Sequence, residues 1–391
     1  MCTLYQGLAI NIKTKHYLVE KSDLPLLRIT DLKNNTVEQY VDPNNYPKNC
    51  LVNKTDLIYT RTGQIGLVFT GKFGILHNNS FKIVPSEFLL KEYLFWFLQS
   101  DEFKSKIVKL ASRAAQPDIT HKIFKEQIIL VPPLPEQKRI VAILDETFEG
   151  IDRAIALAEQ NLVNARELFE SRLNAIFTQK GDGWVKKKLG DISTINYGYT
   201  EKASREPIGP KFLRITDIQD NQVNWETVPF CEISENDYVK YKLYTGDIVF
   251  ARTGATTGKS FLVINPPNAV CASYLIRLSL QSKELMPEFL ILYFQTNKYR
   301  ESISLGISGS AQGGFNASKL ANLVIPVSIN VEQVRIVNYA KELLEYTQRL
   351  EAIYRKKIAA LKELKQSILQ KAFTGELTAD TLKTAKEVTA A

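Results

Sequence analysis

The sequence predicts an α+β protein in which one plan is used twice. Each copy should consist of a small α/β globule followed by a long helix. The two helices should pack as an antiparallel coiled coil, with a pseudo-twofold axis relating the copies. Three observations lead there. A set of strand-like motifs recurs in order, two long stretches carry helical periodicity, and a proline-marked junction occurs twice between them.

The motifs come first. "LRITDLKNNTV" from Leu27 and "LRITDIQDNQV" from Leu213 agree at seven of eleven positions, at an offset of 186. "DLIYTRTG" from Asp56 and "DIVFARTG" from Asp247 match at an offset of 191. Ala115-Gln116 with Ala311-Gln312, Glu136 with Glu332, and "AIFT" from Ala175 with "KAFT" from Lys371 all match at 196. Order is kept while the offset drifts by only ten residues, so insertions fall in loops between equivalent elements. The motifs "FLRITDI" and "GDIVFARTG" are short β-branched and aromatic runs closed by turn residues, which predicts strands.

The junctions follow. "LVPPLPEQKRIVAILDE" from Leu130 and "LVIPVSINVEQVRIVNYAKE" from Leu323 both run from an apolar stretch through proline into Glu-Gln-x-Arg-Ile-Val. Pro132, Pro133, Pro135 and Pro326 stop the preceding strand and set the helix start. Beyond them, Leu144, Phe148, Ile151, Ile155, Ala158, Leu162, Ala165, Phe169 and Ile176 keep a three-four spacing. Ile336, Ala340, Leu343, Leu350, Tyr354, Ile358, Leu361, Leu364 and Ile368 do much the same. Such spacing over many turns is that of a coiled-coil seam, on helices roughly 60–70 Å long. "QKGDG" from Gln179 should end the first helix, with Gly181 as cap residue. The expected boundaries are a globule over 1–133, a helix over 134–180, a globule over 181–326, a helix over 327–375 and a tail over 376–391.

Composition narrows the function classes. A chain of 391 residues with 45% apolar content is a multi-domain globular protein. Neither a run of 18 apolar residues nor a signal peptide is present, so a cytoplasmic protein away from membranes is expected. Cys2, Cys50, Cys231 and Cys271 lack metal-ligand spacing and read as free thiols of a reducing compartment. The three histidines, His16, His77 and His121, form no paired motif, so no metal is expected. Fifty basic against 42 acidic residues leave a net charge of +8, which favours a polyanionic partner.

The set of motifs resembles the specificity subunit of type I restriction-modification enzymes. The carrying residues are the junctions at Val131–Val141 and Ile325–Val337, "LRITD" at 27 and 213, the "RTG" strands from 56 and 247, and "WVKKKLGDIS" from Trp184. The resemblance covers nearly the whole chain. It implies two target recognition domains, each reading one half of a bipartite double-stranded DNA sequence. It also implies two helical regions that space those domains and dock two methyltransferase subunits, which restriction-translocase subunits join. One departure stands out. Gly198 in "INYGYT" corresponds to Gly7 in "LYQGLA", which leaves the first copy without a counterpart of Trp184–Ile192. The first domain is expected to be incomplete there, or completed otherwise, with the C-terminal tail as one source.

Two motifs are decoys for catalysis. "INPPN" from Ile264 resembles the Asn-Pro-Pro-aromatic of adenine methyltransferases, but Asn268 stands where the ring should be, so a turn is expected. "ARTGATTGKS" from Ala251 lacks phosphate-loop spacing, and no strand–glycine-turn–helix unit for a cofactor is found. A non-catalytic chain without cofactor follows. The alternatives are an adenine methyltransferase and a coiled-coil adaptor that binds no DNA.

Candidate DNA contacts lie in and near the two RTG motifs. Arg61 and Arg252 offer planar forks suited to phosphate or guanine. Thr62 and Thr253 add hydroxyls, and Gly63 and Gly254 admit close backbone approach. The competing reading is a β-turn in which each arginine pairs with the acid opening its strand, Asp56 or Asp247. Because both copies share the motif, structure or phosphate contact is favoured over base reading. Arg28 and Arg214 read as core-facing salt-bridge partners. Base-reading residues should lie where the copies differ: around Lys72–Asn79, Thr256–Ser260 and Tyr197–Arg205, with Lys72, Lys202, Arg205 and Lys259 as candidates. Gln116 and Gln312 recur and suggest a role in the fold.

Overall fold

The computed structural model describes residues 1–112, 117–179, 181, 183–219, 221–308 and 314–377. Gln116 and Gln312 lie outside the described residues. The chain forms two compact units, residues 1–159 with 356–391 and residues 160–355. Each unit therefore takes part of both long helices, Leu134–Thr178 and Asn330–Thr374, which have 45 residues each.

The first unit is built on a four-stranded antiparallel sheet in the order Cys2–Gln6, Ser80–Pro85, Leu57–Thr60, Val68–Phe69. Leu57–Thr60 is buried at all four positions, because sheet neighbours flank it and packed layers cover both faces. A smaller sheet pairs Leu26–Leu27 in parallel with Gly74–Leu76. Three short helices, Lys91–Phe97, Asp101–Ala111 and His121–Lys125, cover the main sheet. The second unit repeats the plan. Its main sheet runs Ser193–Tyr197, Leu275–Leu280, Ile248–Ala251, Ser260–Leu262, and Lys211–Leu213 pairs in parallel with Ala269–Cys271. Pro287–Tyr293, Asn297–Ser308 and Ala317–Ala321 are its helices. Val185–Lys188 also pairs antiparallel with Val324–Val327, a pairing without a counterpart among the described residues of the first unit.

The proposed equivalence of Gly7 and Gly198 has a steric cause. A Cβ on Gly7 would sit 2.3 Å from the His77 carbonyl oxygen, and one on Gly198 would sit 2.2 Å from that of Ala272. In both units the strand leaving the main sheet crosses the smaller one at a distance only glycine permits.

The "LRITD" motif departs from the strand expectation. Only its first residues are strand. Ile29–Asn34 is a helix in the first unit and Ile215–Asp217 a 3-10 turn in the second. The aspartate is the reason. Asp31 accepts from the Arg28 backbone N–H at 3.3 Å, and Asp217 from that of Arg214 at 2.9 Å, which caps a helical turn. The arginine side chains close the same carboxylates at 2.8 and 2.7 Å. They are salt-bridge partners, as expected, but half-exposed ones rather than core-facing.

The junction motif acquires its meaning from Gln137 and Gln333, both fully buried. Gln137 Oε1 accepts from Leu90 N–H at 2.7 Å, while Nε2 donates to the carbonyls of Phe88 at 2.9 Å and Pro132 at 2.8 Å. Gln333 does the same with Met286 N–H at 2.8 Å and the carbonyls of Glu284 and Ser328 at 2.6 and 2.7 Å. One side chain thus ties each long helix to its globule and satisfies three backbone groups that burial would otherwise strand.

The helices pair within each unit. In the second, Arg166 reaches Glu351 at 3.1 Å, while Arg172, Ala175 and Ile176 lie across a cavity from Glu332, Ile336 and Tyr339. Numbers rise on one helix as they fall on the other, so the packing is antiparallel. In the first, Lys365 bonds Asp152 at 2.7 Å and lies over the Phe148 ring at 4.8 Å. The predicted stripe is displaced near its end: Leu364 is 47% exposed, and Leu369 and Ala372 are buried instead. Thr347 interrupts the seam as a buried polar residue, its hydroxyl donating to Leu344 O at 3.0 Å. Gly183, at φ 85°, is the glycine with left-handed backbone after the first helix, rather than the expected Gly181.

Candidate nucleic-acid interface

Each RTG loop leaves the end of its unit's buried central strand. Gly63 and Gly254 adopt φ 69° and 75°, a left-handed conformation that turns the chain sharply and leaves both exposed. The first cause of the glycine is therefore the turn itself.

The arginines behave differently in the two units. Arg61 ion-pairs with Asp118, and its Nε donates to Ile119 O at 3.3 Å and Nη1 to Asn78 O at 3.4 Å. Thr62 is half-buried, forms a β-bridge with Asp118 and donates its N–H to Asn79 O at 3.4 Å. The loop is closed on itself. Nearby, burial first, then the charges of Arg61 and Lys125, push the His121 imidazole below its usual pKa. That ring packs edge-on against Phe81 at 5.1 Å.

Among the described residues Arg252 has no such acid. Its guanidinium lies 4.8 Å over the Tyr197 ring, and its buried Nε has no hydrogen-bond partner among the described residues. Thr253 and Gly254 are exposed and open a 3-10 turn, Gly254–Thr256. Lys259 is exposed on the return of the same loop, its carbonyl accepting from Ala251 N–H at 2.8 Å. Thr257, Gly258 and Lys259 border a cavity of about 570 Å³ that Arg300 also lines. The structure thus groups Arg252, Thr253, Gly254 and Lys259 on one exposed loop.

The other candidates lie elsewhere. Lys72 is held by the Asn35 side chain. Lys202 and Arg205 are exposed and flank Ser204, which bridges Phe230. Neither arginine of the RTG loops pairs with the acid opening its strand. Asp56 meets Lys82 at 3.7 Å, and Asp247 accepts from Tyr244 N–H at 2.8 Å and from the Ser279 hydroxyl. Asp118 and Tyr197, which decide the state of each arginine, were not singled out from sequence. Asp118 follows Pro117 in a stretch without periodicity, whereas Tyr197 opens a loop already marked as differing between the copies. "INPPN" is an exposed turn, with Asn265 at φ 45° and its N–H bonded to Thr245 Oγ1 at 2.9 Å.

Two copies of one loop-bearing domain, each tied by a buried glutamine to a long helix, define a protein that presents like surfaces twice. The chain belongs to the type I restriction-modification DNA specificity family: the model of the "Type I restriction modification DNA specificity domain" matches residues 8–161 and 181–363. It is 28% identical over 313 residues to the type I restriction enzyme EcoKI specificity subunit of Escherichia coli K12, covering 75% of this chain and 67% of that one. It is 26% identical over 375 residues to the MjaVIII specificity subunit of Methanocaldococcus jannaschii, covering 90% and 86%. Among solved structures, a chain described under complex assembly and conformational transition of the type I R-M system matches with TM-score 0.73 at 21% identity, covering 96% of this chain and 92% of that one. The HsdS subunit of Thermoanaerobacter tengcongensis matches with TM-score 0.58 at 22% identity, covering 88% and 86%. These two likenesses establish the fold.

Proposed function

We propose that this chain is the DNA sequence-specificity subunit of a type I restriction-modification complex, working in the cytoplasm and carrying out no chemistry itself. Residues 1–133 and 181–326 are its target recognition domains, and each reads one half of a bipartite duplex target. The helical regions 134–180 and 327–375 set the gap and dock two methyltransferase subunits, which restriction-translocase subunits join. The observation that carries this reading is the duplicated loop-bearing domain in a chain whose family model matches both halves. Arg252, Thr253, Gly254 and Lys259 form the leading DNA contact, with the arginine on a phosphate. Lys202 and Arg205 are further candidates beside it, whereas Arg61, Thr62, Gly63 and Lys72 serve first to hold their own unit.

The test is methylation mapping in a host expressing this chain with its methyltransferase partner. A two-part motif with a fixed gap is expected, and methylation at a continuous motif would overturn the reading. The isolated chain should bind no methyl donor, and micromolar binding would favour the methyltransferase alternative. The spacing role has its own test. One heptad inserted after Leu162 and another after Ile358 lengthen each helix by about 10.5 Å, so the gap should grow by roughly three base pairs.

A further inference from the structure

Both units send a loop outward after the crossover glycine. In the first unit, residues 7–19 hold two lysines and a histidine and no acid. Asn11 and Thr14 fix the corner of this loop. Asn11 Oδ1 accepts from Lys13 N–H at 2.9 Å, Thr14 Oγ1 accepts from Asn11 N–H at 2.9 Å, and Asn11 O accepts from Lys15 N–H at 2.8 Å. Ile12 stands at that corner, 98% exposed, the most exposed large apolar side chain among the described residues. Lys13, Lys15 and His16 are exposed beside it.

A single apolar side chain on a surface is ordinary, so its setting decides. The loop is anchored at the turn that also holds the Arg-Thr-Gly loop. Asn78 N–H donates to Leu8 O at 3.0 Å, while Asn78 O accepts from Gln6 Nε2 at 2.7 Å and from Arg61 Nη1 at 3.4 Å. In the second unit the same two loops meet at residues 271–274. Tyr199 N–H donates to Cys271 O at 2.7 Å, and Arg252 N–H to Tyr274 O at 3.3 Å. There the loop carries Lys202 and Arg205 next to Glu201 and Glu206, and the counterpart of Ile12 at the offset of 191 is Ala203. Arg61 is closed on its own unit, so the first unit presents an apolar tip beside lysines where the second presents charged side chains.

We propose that Ile12 is a residue by which the first domain reads a T·A pair. Its side chain packs on the thymine methyl group in the major groove, while Lys13 and Lys15 hold flanking phosphates. The chemistry selects that target. On a stacked duplex, the apolar group open to an isolated aliphatic side chain is the thymine methyl, whereas entry between base pairs would first have to unstack them. The corner fixed by Asn11 and Thr14 presents the side chain with little left to order on binding. This inference rests on the reading of the chain as a DNA specificity subunit, and adds a contact by which the first half-site is told from the second.

The experiment compares wild type with Ile12→Ser, each as the full chain with its methyltransferase partner. The exposed side chain makes the change harmless to folding. The half-site of the first domain is the one that persists when residues 181–326 are exchanged. Methylation mapping should show in it a thymine whose choice the variant relaxes. Replacing that thymine by deoxyuridine should weaken wild-type binding about fourfold, as for one buried methyl lost, and leave binding by Ile12→Ser unchanged. Lys13→Ala and Lys15→Ala should each lower the salt slope by about 1 on every duplex, and Ile12→Ser should not. A first half-site without a T·A pair, an unchanged map for Ile12→Ser, a uracil effect equal in both proteins, or an unchanged slope for both lysine variants overturns the assignment, while a bipartite wild-type map keeps the proposed function standing. Equal weakening of every duplex by Ile12→Ser, with loss of a kink in the DNA, overturns it in favour of a wedge between base pairs. A wild-type map without two halves removes the proposed function and this inference together.

Discussion

The Arg-Thr-Gly loops of the two units share a sequence, a strand and a left-handed glycine, yet their arginines are in opposite states. Arg61 is neutralised by Asp118 and clasped by two carbonyls, whereas Arg252 rests on Tyr197, its Nε without a partner among the described residues. Gln6 stands in the first unit where Tyr197 stands in the second, and Gly314 stands where Asp118 does. The second unit thus lacks the acid and gains a ring, so that the Arg252 fork meets Tyr197 instead of a carboxylate among the described residues. Under the proposed function, the shared motif serves the fold in the first unit and recognition in the second.

Substitutions sharpen the contrast, and the largest effect should come from what the units have in common. Gln137→Leu and Gln333→Leu each leave one backbone N–H and two carbonyls buried without partners, at about 3 kcal/mol or more. Denaturant unfolding should show similar losses for the two. A loss confined to one would mean the junctions are not equivalent.

The arginines should separate next. Arg61→Ala strands Asp118 in a pair only 20% and 28% exposed, and stability should fall by about 1–3 kcal/mol. Arg252→Ala gives up a stacking contact at a loop surface and should cost under about 1 kcal/mol. In duplex binding the order reverses. Arg252→Ala should weaken all duplexes alike and lower the salt slope by about 1, while Arg61→Ala, measured where it is still folded, should leave the slope unchanged. Relaxed choice of a single base at one half-site would instead identify Arg252 as a base reader.

Thiol chemistry gives the smallest contrast. Burial raises all four thiols, Cys231 up to about 11, Cys271 up to about 12, and Cys50 and Cys2 as well, so access decides the contrast. At pH 8 in native buffer Cys50, Cys231 and Cys271 should resist alkylation. Cys2, half-buried at the cavity of the first unit where the other three are buried, should react first.

Much of the duplication was legible because matched motifs keep their order while offsets grow slowly. Gly7 with Gly198 and Glu136-Gln137 with Glu332-Gln333 occupy equivalent places, as their spacing implied. The long helices were legible from three-four spacing, but Leu364 was not, because a stripe drifts around a long helix and sequence alone does not show which edge the partner covers. "LRITD" misled because its β-branched residues suit a strand, whereas the aspartate cap turns the chain only once Arg28 or Arg214 is in place. The partner of Arg61 lies 57 residues away, and such a pairing is set by tertiary closure. The glutamine clamp was visible as a repeat, but its three backbone partners were not.

The central claim, that one chain holds two independent readers, is tested most directly by exchange. Replace residues 181–326 with the matching segment of a relative of different specificity, co-express the chimera with the methyltransferase partner, and map methylated sites across the host genome. One half of the bipartite motif should change, while the other half and the gap between them stay as they were. A change in both halves, or in neither, would contradict the account.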